Sequence, residues 1–366
     1  MKRIKVDMPF LISVVILVVA GYLIFASASL GLLSKQAAKY SDVAFNQTIY
    51  GLFLGSVACF IISHIDYKKY RTFAVLIFVA SLVATLLVFV PGLGIAHGGA
   101  QRWISLGLAT FQPSELLKIG SIIFLAAWMA KIKDKVKTFK YGFLPLIILS
   151  GVVGAILLNQ PDTDTFVIMV LAGLAIFIIA GGKWRYIFIS GLVGLILLAG
   201  LAISKPYIMN RINTFLYPWQ NPLSSGYQIQ QSLIAIGSGG LYGRGFGQSI
   251  QKFNFLPEPI GDSVFAVAGE EFGFLGTFVI IGLFVFFAFR GLKIASKMPD
   301  DFGRLLTVGI VILIISQAFL NIGAMAGVLP LSGIPLPFIS HGGTALFMTL
   351  AEVGIILNIS KNRKKS

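Results

Sequence analysis

The chain has 366 residues, 57% of them hydrophobic and only 12% charged, with a mean hydropathy of +0.89. An ordinary soluble domain carries about 25% charged residues; charge this sparse cannot cover so apolar a core, which excludes a water-soluble protein. The net charge of +15 would suit nucleic acid, but in a chain solvated by lipid it reports orientation, since cytoplasmic loops accumulate Lys and Arg.

A spanning helix needs roughly 20 mostly apolar residues. In chain order ten candidates occur, at 8–30, 44–64, 70–90, 113–130, 142–159, 163–182, 186–204, 263–289, 304–327 and 342–359. The expectation is an all-α polytopic membrane protein, a single transmembrane domain over 1–366, with a large extracytoplasmic loop at 205–262 between helices 7 and 8. The first apolar stretch has no small-residue cleavage signature and reads as a retained helix. The single cysteine, Cys59, lies in an apolar run, so no intrachain disulfide forms, and there is no zinc-type Cys/His spacing.

Alternate loops differ sharply in Lys and Arg. The N-terminus, 65–71, 131–141, 182–186, 290–304 and the C-terminus hold 21, and the other set holds 7. Both termini are therefore expected in the cytoplasm, with 91–112, 160–162, 205–262 and 328–341 outside.

The outer loops carry the candidate chemistry. In Gly98-Gly-Ala-Gln-Arg-Trp-Ile-Ser-Leu-Gly107, Arg102 suits a phosphate and Trp103 suits the headgroup level, an interfacial anchor being the bland alternative. Glu115 and Lys118 stand three apart on one helix face, either as a self-neutralising pair or below a substrate cavity. The glycine-dense stretch Gly237–Gly247 lacks the preceding strand and Walker lysine of a nucleotide site. Its backbone N–H groups either cradle a pyrophosphate or form a tight turn at the bilayer surface.

Only 14 acidic residues exist. Asp7, Asp42, Asp66, Asp134, Asp300 and Asp301 read as solvated loop charges. Asp162 and Asp164 open helix 6, where a carboxylate satisfies free N–H groups and the helix dipole. Asp262 could cap helix 8 in the same way. However, Glu258, Asp262, Glu270 and Glu271 fall within one short stretch, and clustered acids in a low-dielectric site raise one another's pKa, making a usable base near neutrality. His64 and His97 read as structural. Two prolines and two glycines around His341, in Ile334-Pro-Leu-Pro-Phe-Ile-Ser-His-Gly-Gly343, break a helix at membrane depth, as a cavity wall requires.

Taken together, these stretches resemble the SEDS family of bacterial shape, elongation, division and sporulation proteins. The matching pieces are Gly99–Gly107, Phe111-Gln-Pro-Ser-Glu-Leu-Leu-Lys118, Gln160-Pro-Asp162, Tyr227 through Gln231-Ser232 to Gly240, Gln251-Lys252, Phe255-Leu-Pro-Glu258, Asp262, Gly269-Glu-Glu271 and Pro335 through Ser340-His341 to Gly343. The chain departs from the family at Ile260-Gly261, where His-Thr is usual, at Thr163-Asp164, where Leu-Gly is usual, and at His341, where tyrosine is usual. The loop Gly247–Phe253 is closer to the division (FtsW) type than to the elongation (RodA) type.

The resemblance implies a peptidoglycan glycosyltransferase that polymerises lipid II outside the bacterial cytoplasmic membrane, beside a class B penicillin-binding protein and other divisome proteins. Asp262 then falls on the family's loop aspartate and becomes the general base. Arg102, Trp103, Glu115, Lys118, Asp162, Gln231, Ser232, Arg244, Lys252, Glu258, Ser340 and His341 become substrate contacts. Arg102, Arg244, Lys252 and the loop N–H groups are candidates for the leaving pyrophosphate. No cage of metal ligands is evident, so a divalent cation, Mg or Mn, would be held only loosely. Buried charge and broken helices also mark transport paths, which leaves a lipid II flippase as one alternative and a scaffold that recruits the transpeptidase as another; no internal repeat supports the flippase.

Overall fold

Lipid offers no partner for a bare N–H or C=O, so apolar runs become helices that satisfy their own backbone. The computed structural model describes residues 6–33, 37–97, 100–105, 110–220 and 226–363. In order, α1 spans Met8–Leu33, and α2 (Ala37–Phe45) runs through a π-helical stretch, Asn46–Phe53, into α3 (Leu54–His64). The widened turns bring Gln47 against the last loop, where its amide donates to Ser340 O at 3.2 Å and accepts from Gly342 N at 3.0 Å. α4 (Lys68–Thr72) and α5 (Ala74–Leu86) follow.

Among the described residues of 91–112 stands a small antiparallel sheet, β1 (Gly94–His97), β2 (Ala100–Ser105) and β3 (Thr110–Phe111). Pro113, at the first turn of α6 (Pro113–Ile132), fixes the entry to the next helix. α7 (Leu144–Asn159), α8 (Thr163–Ile179) and α9 (Trp184–Ser204) complete the first part of the chain.

About half of the described part of the loop expected at 205–262 is helical. It contains α10 (Pro206–Leu216), α11 (Tyr227–Ser238) and the short α12 (Gln251–Asn254). α13 (Val264–Ser296), α14 (Asp301–Met325) and α15 (Gly343–Ser360) close the fold. Among the described residues seven helical segments are long and apolar enough to cross a membrane: α1, Tyr40–His64, Phe139–Asn159, α9, α13, α14 and α15. Two more, Ala74–Phe89 and Thr163–Ile179, are apolar but shorter. The protein is thus a polytopic, helical membrane protein. Its core lies around α14 and α15, whereas α9 buries only Tyr186 and Ala202.

α13 is not continuous. Gly273 adopts φ 65° and ψ −163°, a region open essentially to glycine alone. The glycine-rich loop straps this break. Arg244 N and Gly245 N donate to Glu270 O and Glu271 O at 3.0 Å each, and Phe274 N and Leu275 N donate to Gly240 O and Leu241 O at 2.8 and 3.1 Å. So close an approach demands glycine: a Cβ on Gly239 would stand 2.0 Å from Gly269 O, and one on Gly243 2.1 Å from Glu271 O. Of the two readings of this loop, a pyrophosphate cradle or a tight turn, the turn is what Arg244 and Gly245 serve here, their N–H groups being bonded to the broken helix. Gly273→Ala is expected to lower stability by about 1–3 kcal/mol from backbone conformation alone, read as an earlier thermal unfolding midpoint in detergent.

Candidate active site

Asp262 sits in the turn that leads into α13. Two helix-capping roles were open to the acids of the outer loops, and the structure uses neither. Ser263 is the residue before the first turn of α13, and neither it nor Asp162, which precedes α8, makes a side-chain capping bond. Asp300 shows the contrast, accepting from Gly303 N at 2.8 Å at the start of α14.

The backbone of the Asp262 turn is held from three directions. Asn321, fully buried on α14, donates its Nδ2 to Asp262 O and to Ile334 O, both at 2.9 Å. Ser340 Oγ donates to Gly261 O at 2.7 Å, and His341 N donates to Ile260 O at 2.7 Å. Gln228 of α11 donates to Ser263 Oγ at 3.1 Å. Ser340 also accepts from Leu336 N at 2.7 Å. Ser340 and His341 thus act here through main-chain bonds that fix the loop. The His341 ring stacks on Phe25 with centroids 6.0 Å apart.

The Asp262 carboxylate faces two guanidinium groups. A Cβ placed on Gly333 would lie 3.7 Å from Asp262 Oδ2, 3.9 Å from Arg211 Nη2 and 4.0 Å from Arg102 Nη1, so the three converge on one glycine. Arg211 comes from α10, and its Nη1 donates to both oxygens of Asp164 at 3.1 and 2.9 Å. Asp164 also accepts from Gly333 N at 3.1 Å. Arg102 comes from β2; its Nε donates to Gln160 O at 3.2 Å, its Nη2 to Pro161 O, and its Nη1 lies 3.8 Å from Asp162.

Burial, the charge of Glu258 and the charge of Asp164 push the Asp262 carboxyl up from 3.8 to about 7, against the pull of Arg102 and Arg211. Burial likewise raises Asp162, against Arg102 and the Thr165 hydroxyl. Glu258 itself is exposed, with φ 45°. A half-buried carboxylate that titrates near neutrality between two fixed cations can take a proton from an alcohol.

The acids grouped by sequence proximity separate in space. Glu270 and Glu271 point away from Asp262 into a buried network beneath the glycine strap. Lys252 Nζ lies 2.7 Å from Glu271, with both side chains fully buried, and also donates to Ser27 Oγ at 2.9 Å and Gly247 O at 2.8 Å. Glu270 accepts from Ser249 Oγ at 2.6 Å, from Ile250 N and Gln251 N at 3.1 and 3.2 Å, and pairs with Arg244 Nε at 3.3 Å. The structure therefore places Lys252 and Arg244 in this network rather than beside Asp262. The acid that accompanies Asp262 and Glu258 is Asp164, because α8 and α13 both open at this end of the fold.

Glu115 and Lys118 pair at 2.9 Å inside the bundle, and Lys118 Nζ donates to Gln317 Oε1 at 2.8 Å. Gln317 in turn donates to Pro335 O at 2.9 Å. Its neighbour one turn on, Asn321, grips the Asp262 turn, so this pair is linked to the site through α14. Ser232 is buried, donating to Gln228 O at 2.8 Å within its own helix, and Gln231 is partly exposed on the same helix. Trp103 lies on β2 opposite Ile95, partly exposed. The flanking Gly99, Leu106 and Gly107 of its motif lie outside the described residues. Among the described residues no three acidic, histidine or cysteine side chains gather to cage a metal ion.

Arg211, Asn321, Gln228 and Gln317 are the site's additions to the sequence reading. Gln317 and Asn321 left a usable signal, two amides four apart in an apolar helix.

Comparison with known proteins agrees across the whole chain. A family model covering FtsW, RodA and SpoVE, described as cell cycle protein, matches residues 8–365. Stage V sporulation protein E of Bacillus subtilis (strain 168) is 37% identical over 367 residues, 98% of each chain. The probable peptidoglycan glycosyltransferase FtsW of Geobacter sp. (strain M18) is 40% identical over 364 residues, again 98% of each. Among solved structures, a chain of a peptidoglycan synthase complex that coordinates polymerization and crosslinking matches with a TM-score of 0.80 at 27% identity, over 99% of both chains. The rod shape determining protein RodA of Thermus thermophilus matches with a TM-score of 0.68 at 27% identity, over 96% of this chain and 97% of that one.

Proposed function

The chain belongs to the FtsW/RodA/SpoVE family of cell cycle proteins, and from that premise we propose that Asp262 is the general base of its reaction. The protein is a peptidoglycan glycosyltransferase that polymerises lipid II. In the step that follows, a sugar hydroxyl of lipid II attacks the anomeric carbon of the growing strand. The new glycosidic C–O bond forms as the bond to undecaprenyl pyrophosphate breaks, and the hydroxyl proton passes to Asp262. Charge grows on the departing pyrophosphate, where preorganised cations act most strongly. Arg102 and Arg211 face Asp262 and take that role; Lys252 and Arg244 are held in the network under the glycine strap.

The observation that carries this reading is the convergence of Asp262, Arg102 and Arg211 on Gly333, with the carboxyl raised to about 7. The sign of the pH dependence follows. Below about 7 the carboxyl is protonated and cannot accept a proton, so the rate is expected to rise through that pH and level off above it. Because Arg211 pulls the pKa down, Arg211→Gln is expected to move the midpoint to higher pH as well as slow turnover. The profile of kcat/KM for labelled lipid II between about pH 5.5 and 8.5 checks both; a flat profile, or a downward move, removes the base assignment.

The finer topology is part of the same proposal. Ten spans follow when α5, α6 and α8 are added to the seven long segments, with one domain over 1–366 and the loop at 205–262 between spans 7 and 8. Contacts sort the loops into two ends, which supports this. Residues 102, 160–164, 211, 228, 260–263 and 333–341 meet at the site. Residues of the basic set meet elsewhere: Asp7 pairs with Arg290 and Arg363, and Tyr67 donates to Asp300 at 2.5 Å. The basic end is cytoplasmic in this reading, with both termini there and Asp262 outside.

The partner is a class B penicillin-binding protein of the division machinery, and the site of synthesis is the septum. Imaging of a tagged protein at midcell, against the sidewall, tests the latter. Transbilayer movement of lipid II without polymer would instead mark a flippase, and normal wall synthesis by an inactive protein would mark a scaffold.

A further inference from the structure

Eight cations of this fold pair with a carboxylate among the described residues: Arg102, Lys118, Arg211, Arg244, Lys252, Arg290, Arg304 and Arg363. No cation of the basic loops at 131–141 and 182–186 is among them, and three of these stand over aromatic rings. Lys131, Lys133, Lys135, Lys137, Lys140, Lys183 and Arg185 are all exposed, and among the described residues none of them lies within ion-pair distance of an acid. Asp134 is the single acid in these two loops.

These cations surround an aromatic floor that joins the two loops. Tyr186 stacks on Phe143 with centroids 4.8 Å apart and tilts against Phe139 at 6.1 Å. Lys135 and Lys140 both stand over the Tyr141 ring, at 5.4 and 5.7 Å, and Arg185 over Tyr186 at 4.7 Å. Trp128 Nε1 donates to the main-chain Tyr141 O at 3.0 Å, which ties that backbone to the last turns of α6. Phe139 and Trp184 remain 50% and 63% exposed, apolar surface at the same level as the ammonium groups. Lys135 and Lys140, gathered on one ring, repel each other, and an outside anion between them relieves that repulsion.

The geometry points to a binding site for anionic phospholipid headgroups at this end of the bundle, with Lys135, Lys140 and Arg185 on the phosphate and Phe139 and Trp184 at the acyl boundary. Aromatic rings at the headgroup level anchor a helix bundle, and a basic residue near an anionic membrane surface strengthens association by about fivefold. The loops 131–141 and 182–186 supply both, and the exposed apolar rings commit the occupant to a lipid rather than a soluble phosphate. This site is separate from Asp262 and does not depend on the assignment of the base.

The test uses the full-length protein in detergent with equimolar phosphatidylglycerol and phosphatidylcholine, and counts retained lipid by native mass spectrometry. Phosphatidylglycerol is expected to outnumber phosphatidylcholine by at least about fivefold. A Lys135→Gln, Lys140→Gln, Arg185→Gln variant is expected to lose that preference while still polymerising lipid II. A control variant, Lys68→Gln, Lys69→Gln, Arg71→Gln, neutralises three cations of another basic loop that stand on no ring among the described residues, and is expected to keep the preference. Equal loss in both variants would reduce the site to diffuse charge. Equal retention of the two lipids by the unaltered protein, or competition by inorganic phosphate alone, would overturn it.

Discussion

Asp262→Asn is expected to end glycan polymerisation while leaving the protein folded. A positioned base contributes about a hundredfold to ten-thousandfold to a proton-transfer step, and asparagine cannot accept the proton. The turn itself survives, because Asn321, Ser340 and His341 hold it through the main-chain carbonyls of Asp262, Gly261 and Ile260. None of those bonds involves the carboxylate. The folded carboxyl titrates near 7, above its ordinary 3.8, so ionising it opposes folding progressively as pH rises from about 4 to about 7. The neutral amide escapes that penalty. The variant should therefore unfold at the same or a higher temperature than the parent at pH 8, yet yield no polymer from labelled lipid II. Residual polymer at the parental rate would return Asp262 to a structural part.

The second large effect concerns stability. Lys252→Met is expected to destabilise the protein by about 3–5 kcal/mol, because it leaves Glu271 charged and fully buried without its partner. Methionine fills similar space, so the loss is electrostatic. The double change Lys252→Met with Glu271→Leu removes both charges and is expected to regain most of the loss. Thermal unfolding of the purified variants reads this directly. If Lys252→Met instead unfolds normally and fails only in polymerisation, Lys252 serves the substrate and the strap is held by other contacts.

Much of the fold was legible because lipid enforces it. An apolar run of about 20 residues has few choices other than a helix, and the expected runs are helical, whereas α10, α11 and α12 lie in the stretch expected as a loop. What the runs did not reveal was the break at Gly273, since a glycine inside an apolar helix looks the same whether or not another segment crosses it. The glycine loop stayed open between two readings for a related reason: glycines that free N–H groups for an anion and glycines that admit a neighbouring backbone leave one pattern. Asp262 stood out because acids are scarce in this chain. Arg211 did not, because it lies in an unremarked stretch and gains its place only when α10 returns to the start of α8, 47 residues away in sequence. Glu270 and Glu271 were grouped with Asp262 by nearness in the chain, but the turns of α13 carry Glu271 to Ser27 of α1 and Glu270 to the stretch Ser249–Gln251.

α9 touches α10 and has almost no side chain buried against the remainder of the protein. A helix with so few protein contacts takes its tilt largely from the thickness of the hydrocarbon around it. Its far end passes through Lys205 directly into α10, and α10 carries the guanidinium that faces Asp262. A change of bilayer thickness is therefore expected to reach Arg211 through α9 and α10, read as a difference in polymerisation rate between vesicles of short-chain and long-chain lipid.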